Sequence, residues 1–359
     1  MINVGIIGMG RSGWELHATH LSRIDGYRVV AVCDQNEKRV KEAGQVFGAR
    51  PYMETKELLA DREVQLAVAA VPVNLHAAVT VAALEAGKDV VVEKPMAVNL
   101  DEVDRMIAAA KRSGRTLAVF HNRRWDRDYQ TVRSLVQKGE LGEPLVIESR
   151  VMTYGPEWAN YGVPEFNPQW RLKAAYGGGF LGDWGPHLVE QLLDLTGELP
   201  VSLTGQLRSH LWATEVEDYF HIRLTFPSGL LATVEGSNNA RLPLPRWLVV
   251  GRKGTLTARG EWGRWTEMLI RKAVDGLDGL TVDLIPQNVG PSSGSRNYDV
   301  GEELSVFFYN DLAEALKTGR EPAVTLKRVR DVMLILEAAR ESSARGQTVT
   351  LNYSAKGRL

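Results

Sequence analysis

The first third of the chain repeats one pattern, in which a short run of apolar residues precedes a longer stretch with helical periodicity. The apolar runs are continuous rather than alternating, which is typical of strands buried on both faces. Because strands that alternate with helices pair in parallel, the pattern predicts a parallel sheet built from βαβ units. The predicted strands are 3–8, 27–34, 64–72, 89–95 and 116–122, and the predicted helices between them are 12–24, 36–48, 74–87 and 99–114.

The turn after the first strand has the sequence GMGRSG, with Gly8, Gly10 and Gly13 between a predicted strand and a predicted helix. In this setting the motif is typical of a dinucleotide-binding Rossmann turn. The first glycine allows a tight turn, the second lets the backbone approach a pyrophosphate, and the third permits close packing of helix on strand. The helix N-terminus supplies amide donors. We therefore expect the motif, including Met9 and Arg11, to bind a dinucleotide.

The second strand ends at Asp34, close to the spacing expected for an acid that binds the adenosine ribose. A carboxylate there accepts hydrogen bonds from the ribose hydroxyls and repels a 2′-phosphate. The next three residues include no arginine that could hold such a phosphate. The sequence therefore favours NAD over NADP, although Lys38 and Arg39 follow closely enough to keep NADP possible.

After Asn122 the runs become longer and half-alternating, and the turn residues in FPSGLL and GRKGTL are typical of hairpins. This half is therefore expected to contain a mostly antiparallel sheet. Residues 153–178 are predicted to form an ordered loop, and 274–300 have no clear pattern. The predicted strand regions are 144–155, 201–212, 218–237 and 246–260, and the predicted helices are 127–142, 301–319 and 326–346.

The segment GGGFLGDWGPHLVE, residues 177–190, combines helix-breaking residues with Asp183 and His187. A spacing of four places both side chains on one helical face, and Pro186 is tolerated if the helix begins near residue 182. A neutral imidazole near working pH suits removal of a hydroxyl proton. Asp183 could orient that imidazole or bind a substrate hydroxyl. The plainer alternatives are a structural histidine and a capping acid.

Together with GMGRSG and GGGFLGDWGPH, the sequence EKP at 93–95 resembles the glucose-fructose oxidoreductase/inositol dehydrogenase (Gfo/Idh/MocA) family over nearly the whole chain. The resemblance implies an N-terminal Rossmann NAD(P)-binding domain, residues 1–122. It implies a substrate-binding and oligomerisation α/β domain on a large, mostly antiparallel sheet, residues 123–359, with the C-terminal helix packed near the domain junction. Family members oxidise or reduce carbohydrate and cyclitol hydroxyls with NAD or NADP.

The resemblance also assigns site residues. Lys94, Asp183 and His187 correspond to the family's catalytic lysine, acid and histidine; Lys94 would hydrogen-bond the reacting oxygen, and His187 would be the general acid/base. The sequence departs from the family at Glu190, where aspartate is common, and at His121. Further cofactor-binding residues are Pro72, Asn74, His76, Glu93, Lys94 and Asn122, and further substrate-binding residues are Trp170 and Arg171.

The composition excludes several other functions. The net charge of −1 gives no indication of nucleic acid or a membrane as a partner. The single cysteine, Cys33, excludes an intramolecular disulfide and is expected to be a buried thiol. The remaining histidines are interpreted as structural, so no metal site is expected. With no leader-like N-terminus or long apolar run, the protein is expected to be cytoplasmic.

These observations predict an NAD(P)-dependent dehydrogenase that acts on a secondary hydroxyl of a sugar or of an inositol-like cyclitol. Two alternatives stay open. One is an NAD-dependent glycosidase of the same family, and the other is a non-catalytic regulator that binds dinucleotide and sugar. A homodimer or homotetramer is expected through the C-terminal sheet, since one face would otherwise expose an apolar patch.

Overall fold

In the computed structural model, residues 1–155, 170–260, 267–274, 277–284 and 300–354 are described. The first part of the chain forms a six-stranded sheet, sheet A, in which every pairing is parallel. The strand order is β3-β2-β1-β4-β5-β6, which is the Rossmann order. The predicted parallel sheet is therefore confirmed. Its strands are β1 (Ile2–Ile7), β2 (Tyr27–Cys33), β3 (Arg50–Tyr52), β4 (Leu66–Ala69), β5 (Asp89–Val92) and β6 (Leu117–Val119).

Four helices of this region lie where the sequence predicted them, with bounds that differ by at most three residues. Asn36 and Asn99 cap two of them, since each side chain accepts a backbone N–H three residues later. The sequence analysis missed β3 and α3, because both are short and β3 is an edge strand without an apolar run. The helices are α1 (Ser12–Ala18, wound as a π-helix, and Thr19–Leu21), α2 (Glu37–Phe47), α3 (Thr55–Ala60), α4 (Val73–Glu85) and α5 (Leu100–Ser113).

The second half is built on a nine-stranded sheet, sheet B, with the order β14-β13-β12-β11-β7-β10-β9-β8-β15. All its pairings are antiparallel except that of β7 with β10, which confirms the mostly antiparallel sheet. β14 lies within 274–300, where the sequence showed no pattern. Its strands are β7 (Pro144–Met152), β8 (Ser202–Arg208), β9 (Tyr219–Thr225), β10 (Leu231–Ser237), β11 (Trp247–Gly251), β12 (Gly254–Arg259), β13 (Glu267–Val274), β14 (Leu277–Leu284) and β15 (Val349–Thr350).

The helices of the second half connect the two sheets. Two of them pack against sheet B, whereas α8 packs against α1, and its Phe308, Tyr309 and Leu312 belong to the same buried cluster as Val4 and Ile6 of sheet A. A helix from the C-terminal part of the chain thus completes the Rossmann core. The helices are α6 (Arg127–Gln137), α7 (Phe180–Thr196), α8 (Val300–Thr318) and α9 (Leu326–Arg345), with short 3-10 turns at Asn122–Trp125, Trp170–Leu172 and Ala174–Tyr176.

Two further predictions concerned the C-terminal helix and the loop at residues 153–178. α9 contacts α5, since the Arg330 Nε donates to Asp104 Oδ1 at 2.6 Å. The loop predicted for 153–178 is described only in part, and its aromatic residues Trp158, Tyr161 and Phe166 lie outside the described residues.

Candidate active site

A cleft of about 690 Å³ lies at the carboxyl ends of the strands of sheet A and reaches the first residues of α7. Open α/β sheets bind ligands at this edge. The cleft brings together most of the predicted site residues, although they come from distant parts of the chain. Those that line it are Gly8, Gly10, Arg11, Asp34, Pro72, His76, Glu93, Lys94, Trp170, Arg171 and Asp183.

The glycine turn has the geometry that a dinucleotide requires. Gly8 has a φ of +94°, and a Cβ there would lie 2.4 Å from the carbonyl oxygen of Ala70. A Cβ on Gly13 would lie 1.8 Å from the oxygen of Gly8, whereas one on Gly10 would meet nothing within 4 Å. Two glycines therefore serve the fold, and the third leaves open space beside the backbone. These residues fit a bound pyrophosphate.

One end of the cleft is formed by Asp34 and by residues that contact its carboxylate. Oδ2 accepts the backbone N–H of Met9 at 2.7 Å, and Oδ1 accepts that of Asn36 at 2.9 Å. The first turn of α2 also brings the guanidinium of Arg39 to 3.3 Å from Oδ2, in the lining of the cleft. No arginine stands next to Asp34 in the sequence, but the first turn of α2 brings the side chain of Arg39 into contact with the Asp34 carboxylate.

Lys94 and Asp183 form an ion pair between the two halves of the chain. The Lys94 Nζ donates to Asp183 Oδ1 at 2.7 Å and to the Asp183 carbonyl at 2.9 Å. Burial alone would raise the pKa of Asp183, but the charges of Lys94 and Arg171 hold it below its ordinary value. Asp183 is therefore a carboxylate at neutral pH. The peptide bond that follows Lys94 is cis.

The start of α7 differs from the sequence prediction. The helix begins at Phe180 rather than near residue 182, so Pro186 lies in its second turn. Gly179, with a φ of +110°, precedes the helix, and the side chain of Glu217 accepts the backbone N–H of Leu181 at 3.0 Å. This carboxylate caps the helix end, which explains why the helix starts two residues early.

His187 lies one turn after Asp183 and is 5% exposed. Its ring packs edge-on against the ring of His121, with centroids 5.7 Å apart. The Nδ1 atoms of both rings are buried and have no hydrogen-bond partner among the described residues. Burial, and secondarily the charge of Lys94, lowers the pKa of His187 well below its ordinary value. Burial lowers the pKa of His121 to about 3. Both rings are therefore neutral.

The contacts of Asp183 distinguish the two roles that the sequence left open for it. Its carboxylate is bound by Lys94, and in the described parts of the chain no hydrogen bond joins it to His187. The geometry therefore favours Asp183 as a partner of the lysine over Asp183 as the group that orients the imidazole.

A buried network fixes the NRRW segment against α7. Arg124 pairs with Glu190 at 2.6 Å and also with Asp194. The Gln191 amide donates to the carbonyl of Arg123 at 2.6 Å. Arg124 thus braces the site, and Glu190, which stands where the family commonly has aspartate, is its buried partner. Burial raises the pKa of Glu190 to about 7, although Arg124 opposes this.

Several predicted site residues do not line the cleft. The side chain of Met9 is buried and its amide binds Asp34, so it contributes through its backbone. Asn74 has a buried Oδ1 without a partner in the described structure. His76, by contrast, does line the cleft, and its two ring nitrogens lie 2.9 Å from the carbonyl oxygens of Pro95 and Val71. The other three are Gly13, Asn122 and His187.

Other kinds of site have no support in the described residues. No group of three or more His, Cys, Asp or Glu side chains is arranged there to hold a metal ion. Cys33 is a buried free thiol. In the parts of the chain that the structure describes, every helix is too short or too polar to cross a membrane.

Comparison with known proteins agrees with this geometry. Residues 2–121 match the model of the oxidoreductase family with an NAD-binding Rossmann fold, and 129–257 match the GFO/IDH/MocA C-terminal domain. Scyllo-inositol 2-dehydrogenase (NADP(+)) IolW from Bacillus subtilis is 30% identical and covers 98% of this chain and 96% of its own. The uncharacterized oxidoreductase YdgJ from Escherichia coli is 34% identical, over 72% of this chain and 71% of its own.

A solved structure shares the whole architecture. The NAD-binding protein from Listeria innocua has a TM-score of 0.82 and 30% identity, and the match covers 97% of this chain and 96% of that one. Fold, cleft and relatives together define the class, an NAD(P)-dependent oxidoreductase. Because family models match both halves, the chain belongs to the GFO/IDH/MocA family.

Proposed function

We propose that this enzyme transfers hydride between NAD(P) and a secondary hydroxyl or keto carbon of a cyclitol or sugar. The observation that carries the proposal is the Lys94–Asp183 pair, 2.7 Å apart, in the same cleft as the glycine turn. The relative from Bacillus subtilis is named as an inositol dehydrogenase, which supports a cyclitol or a similar polyhydroxylated ring as the substrate class.

The nicotinamide cofactor, when bound, supplies the acceptor or donor of the hydride. The chain's own residues hold it at three places. The open backbone at Gly10 and the helix N-terminus receive the pyrophosphate, and Asp34 receives the ribose. Pro72 and Glu93 line the cleft farther along.

The same chain supplies groups for the reacting hydroxyl. Lys94 has three N–H donors, of which the Asp183 contacts use two, and it can donate to the substrate oxygen and favour alkoxide-like charge there. His187 is neutral, and its Nδ1 is buried. We therefore assign Nε2 as the nitrogen that takes the hydroxyl proton. In the reverse direction the imidazolium returns that proton to the alkoxide oxygen.

The preference between NAD and NADP follows from Asp34 and Arg39, at the end of the cleft where we place the ribose. Asp34 favours NAD, because its carboxylate binds ribose hydroxyls and repels a 2′-phosphate. Arg39, 3.3 Å from that carboxylate, offsets the repulsion and can bind the same phosphate. We propose that NAD is preferred and that NADP is used through Arg39.

We also propose that copies of the chain associate through sheet B. The helices α7 and α9 cover one face of the sheet. Side chains that alternate with the buried ones point to the opposite face, where Leu231 is 43% exposed. Light scattering should show a dimer or tetramer whose mass falls in Leu231→Glu, and a monomer at micromolar concentration would contradict this assembly.

The test of the activity is the reduction of NAD by purified protein in the presence of cyclitols, aldoses and glycosides, followed by nicotinamide absorbance. We expect reduced cofactor with one substrate class and a loss of about 100-fold or more in His187→Ala. His210→Ala, at an exposed histidine, is the matched control and should keep full activity. Hydrolysed glycoside without net reduction would indicate the glycosidase instead, and cofactor binding without either reaction would indicate the regulator.

A further inference from the structure

A chain of hydrogen bonds runs from the core of α8 to the backbone of Lys94. The hydroxyl of Tyr309 lies 2.6 Å from His17 Nδ1, and His17 Nε2 lies 3.1 Å from Glu93 Oε1. The other carboxylate oxygen, Oε2, accepts the backbone N–H of Lys94 at 3.1 Å. Tyr309 and His17 are fully buried, and Glu93 is 7% exposed.

The donors and acceptors in this series of hydrogen bonds are assigned starting from Glu93. Burial alone would raise the pKa of Glu93, but the hydrogen bond from His17 and nearby positive charge hold it below its ordinary value. Glu93 is therefore an acceptor at both oxygens, so His17 Nε2 carries a hydrogen and donates it. In the neutral ring, which we assign to His17, Nδ1 is a lone pair. Burial raises the pKa of Tyr309 well above its ordinary value, so its O–H is intact and donates to Nδ1.

The position of Tyr309 excludes a proton relay to solvent. Its ring packs against those of Phe120, Phe308 and Tyr27, with centroids 6.0, 5.3 and 5.3 Å away. A proton that entered the chain at Glu93 would have to end on a buried phenol. The hydrogen bonds from Tyr309 through His17 can still fix the orientation of Glu93, because each carboxylate oxygen accepts one specific donor.

We propose that Tyr309 and His17 are positioning residues for Lys94, acting through Glu93. They hold an ionised carboxylate under the peptide N–H of the lysine, and this sets the direction from which Nζ reaches Asp183 and the substrate. The inference rests on the proposed role of Lys94. It also gives α8 a function, since this helix comes from the C-terminal part of the chain and supports a site on sheet A.

Two buried tyrosines of the protein provide a matched pair of variants. Tyr309→Phe removes only the hydroxyl that bonds His17. Tyr27→Phe removes another buried hydroxyl, which donates to the Tyr309 carbonyl at 2.8 Å and takes no part in the chain. We expect similar losses of thermal stability in both. We expect kcat to fall about tenfold only in Tyr309→Phe, since small misplacements of catalytic groups are costly, with the KM for NAD unchanged within about twofold.

A second readout does not depend on turnover. Nitrogen NMR of labelled histidine should show His17 as a single neutral tautomer with its hydrogen on Nε2. That signal should become mixed in Tyr309→Phe and stay unchanged in Tyr27→Phe. His17→Gln, which keeps an N–H for Glu93, should retain more activity than His17→Ala.

The results that would overturn the inference are distinct from failure of the proposed function. Equal kcat losses in the two tyrosine variants would mean that α8 acts only through general stability. If Tyr309→Phe left the His17 signal unchanged, the hydrogen bond from Tyr309 to His17 would be contradicted. If the unaltered protein turned over no substrate, the proposed function would fail, while the NMR comparison would still decide whether Tyr309 sets the state of His17.

Discussion

Replacing Gly10 by alanine separates the folding of the glycine turn from its binding function. A Cβ at this position meets no atom within 4 Å, and its φ lies outside the left-handed range. The free energy of unfolding should therefore change by less than about 1 kcal/mol. The methyl group would instead occupy the space through which a pyrophosphate approaches the backbone. Losing one charge-assisted hydrogen bond costs about 1.5–3 kcal/mol, which raises the Kd for NAD about 10- to 150-fold.

Titration calorimetry with NAD measures this Kd, and thermal unfolding measures the stability of the same samples. Gly13→Ala is the contrasting variant, because its Cβ would lie 1.8 Å from the oxygen of Gly8 and must disturb the turn. We expect Gly10→Ala to lose affinity at an unchanged melting temperature and Gly13→Ala to lose both. An unchanged Kd in Gly10→Ala would refute the placement of the pyrophosphate at this turn.

Three further predictions follow from charges in and near the cleft. Arg39→Ala should lower kcat/KM for NADP about tenfold or more relative to NAD, since a charge-assisted bond to the 2′-phosphate is lost; an equal loss with both cofactors would contradict its role. Because the pKa of His187 lies well below 6.5, kcat/KM for oxidation should stay level down to about pH 6, and an acid limb centred at 6.5 or above would exclude His187 as the base. Glu190 has a folded pKa of about 7 against an ordinary 4.5, so its contribution to stability is fully present below pH 4.5 and is lost as the pH rises through 7. The melting temperature of Glu190→Gln should therefore gain on that of the unaltered protein between pH 5 and 8, and a constant difference would contradict the raised pKa.

The predictions that held concern features encoded by neighbouring residues. The apolar runs of β1 and β2 and the glycine turn depend on local periodicity or on a backbone conformation that few residues adopt. The mostly antiparallel character of sheet B was also readable from its hairpin turns. β3 and α3 were missed because three to six residues carry too little periodic signal.

The sequence by itself determined the kind of fold, the dinucleotide turn and the candidate residues Lys94, Asp183 and His187. Only the tertiary structure decided that Lys94 and Asp183, 89 positions apart, form one ion pair, and that the hydroxyl of Tyr309 lies against His17. The physical reason is the distance along the sequence over which each kind of information acts. Local patterns specify which face of a strand or helix is apolar, whereas the partner of each polar group depends on how complete elements pack after the chain has folded.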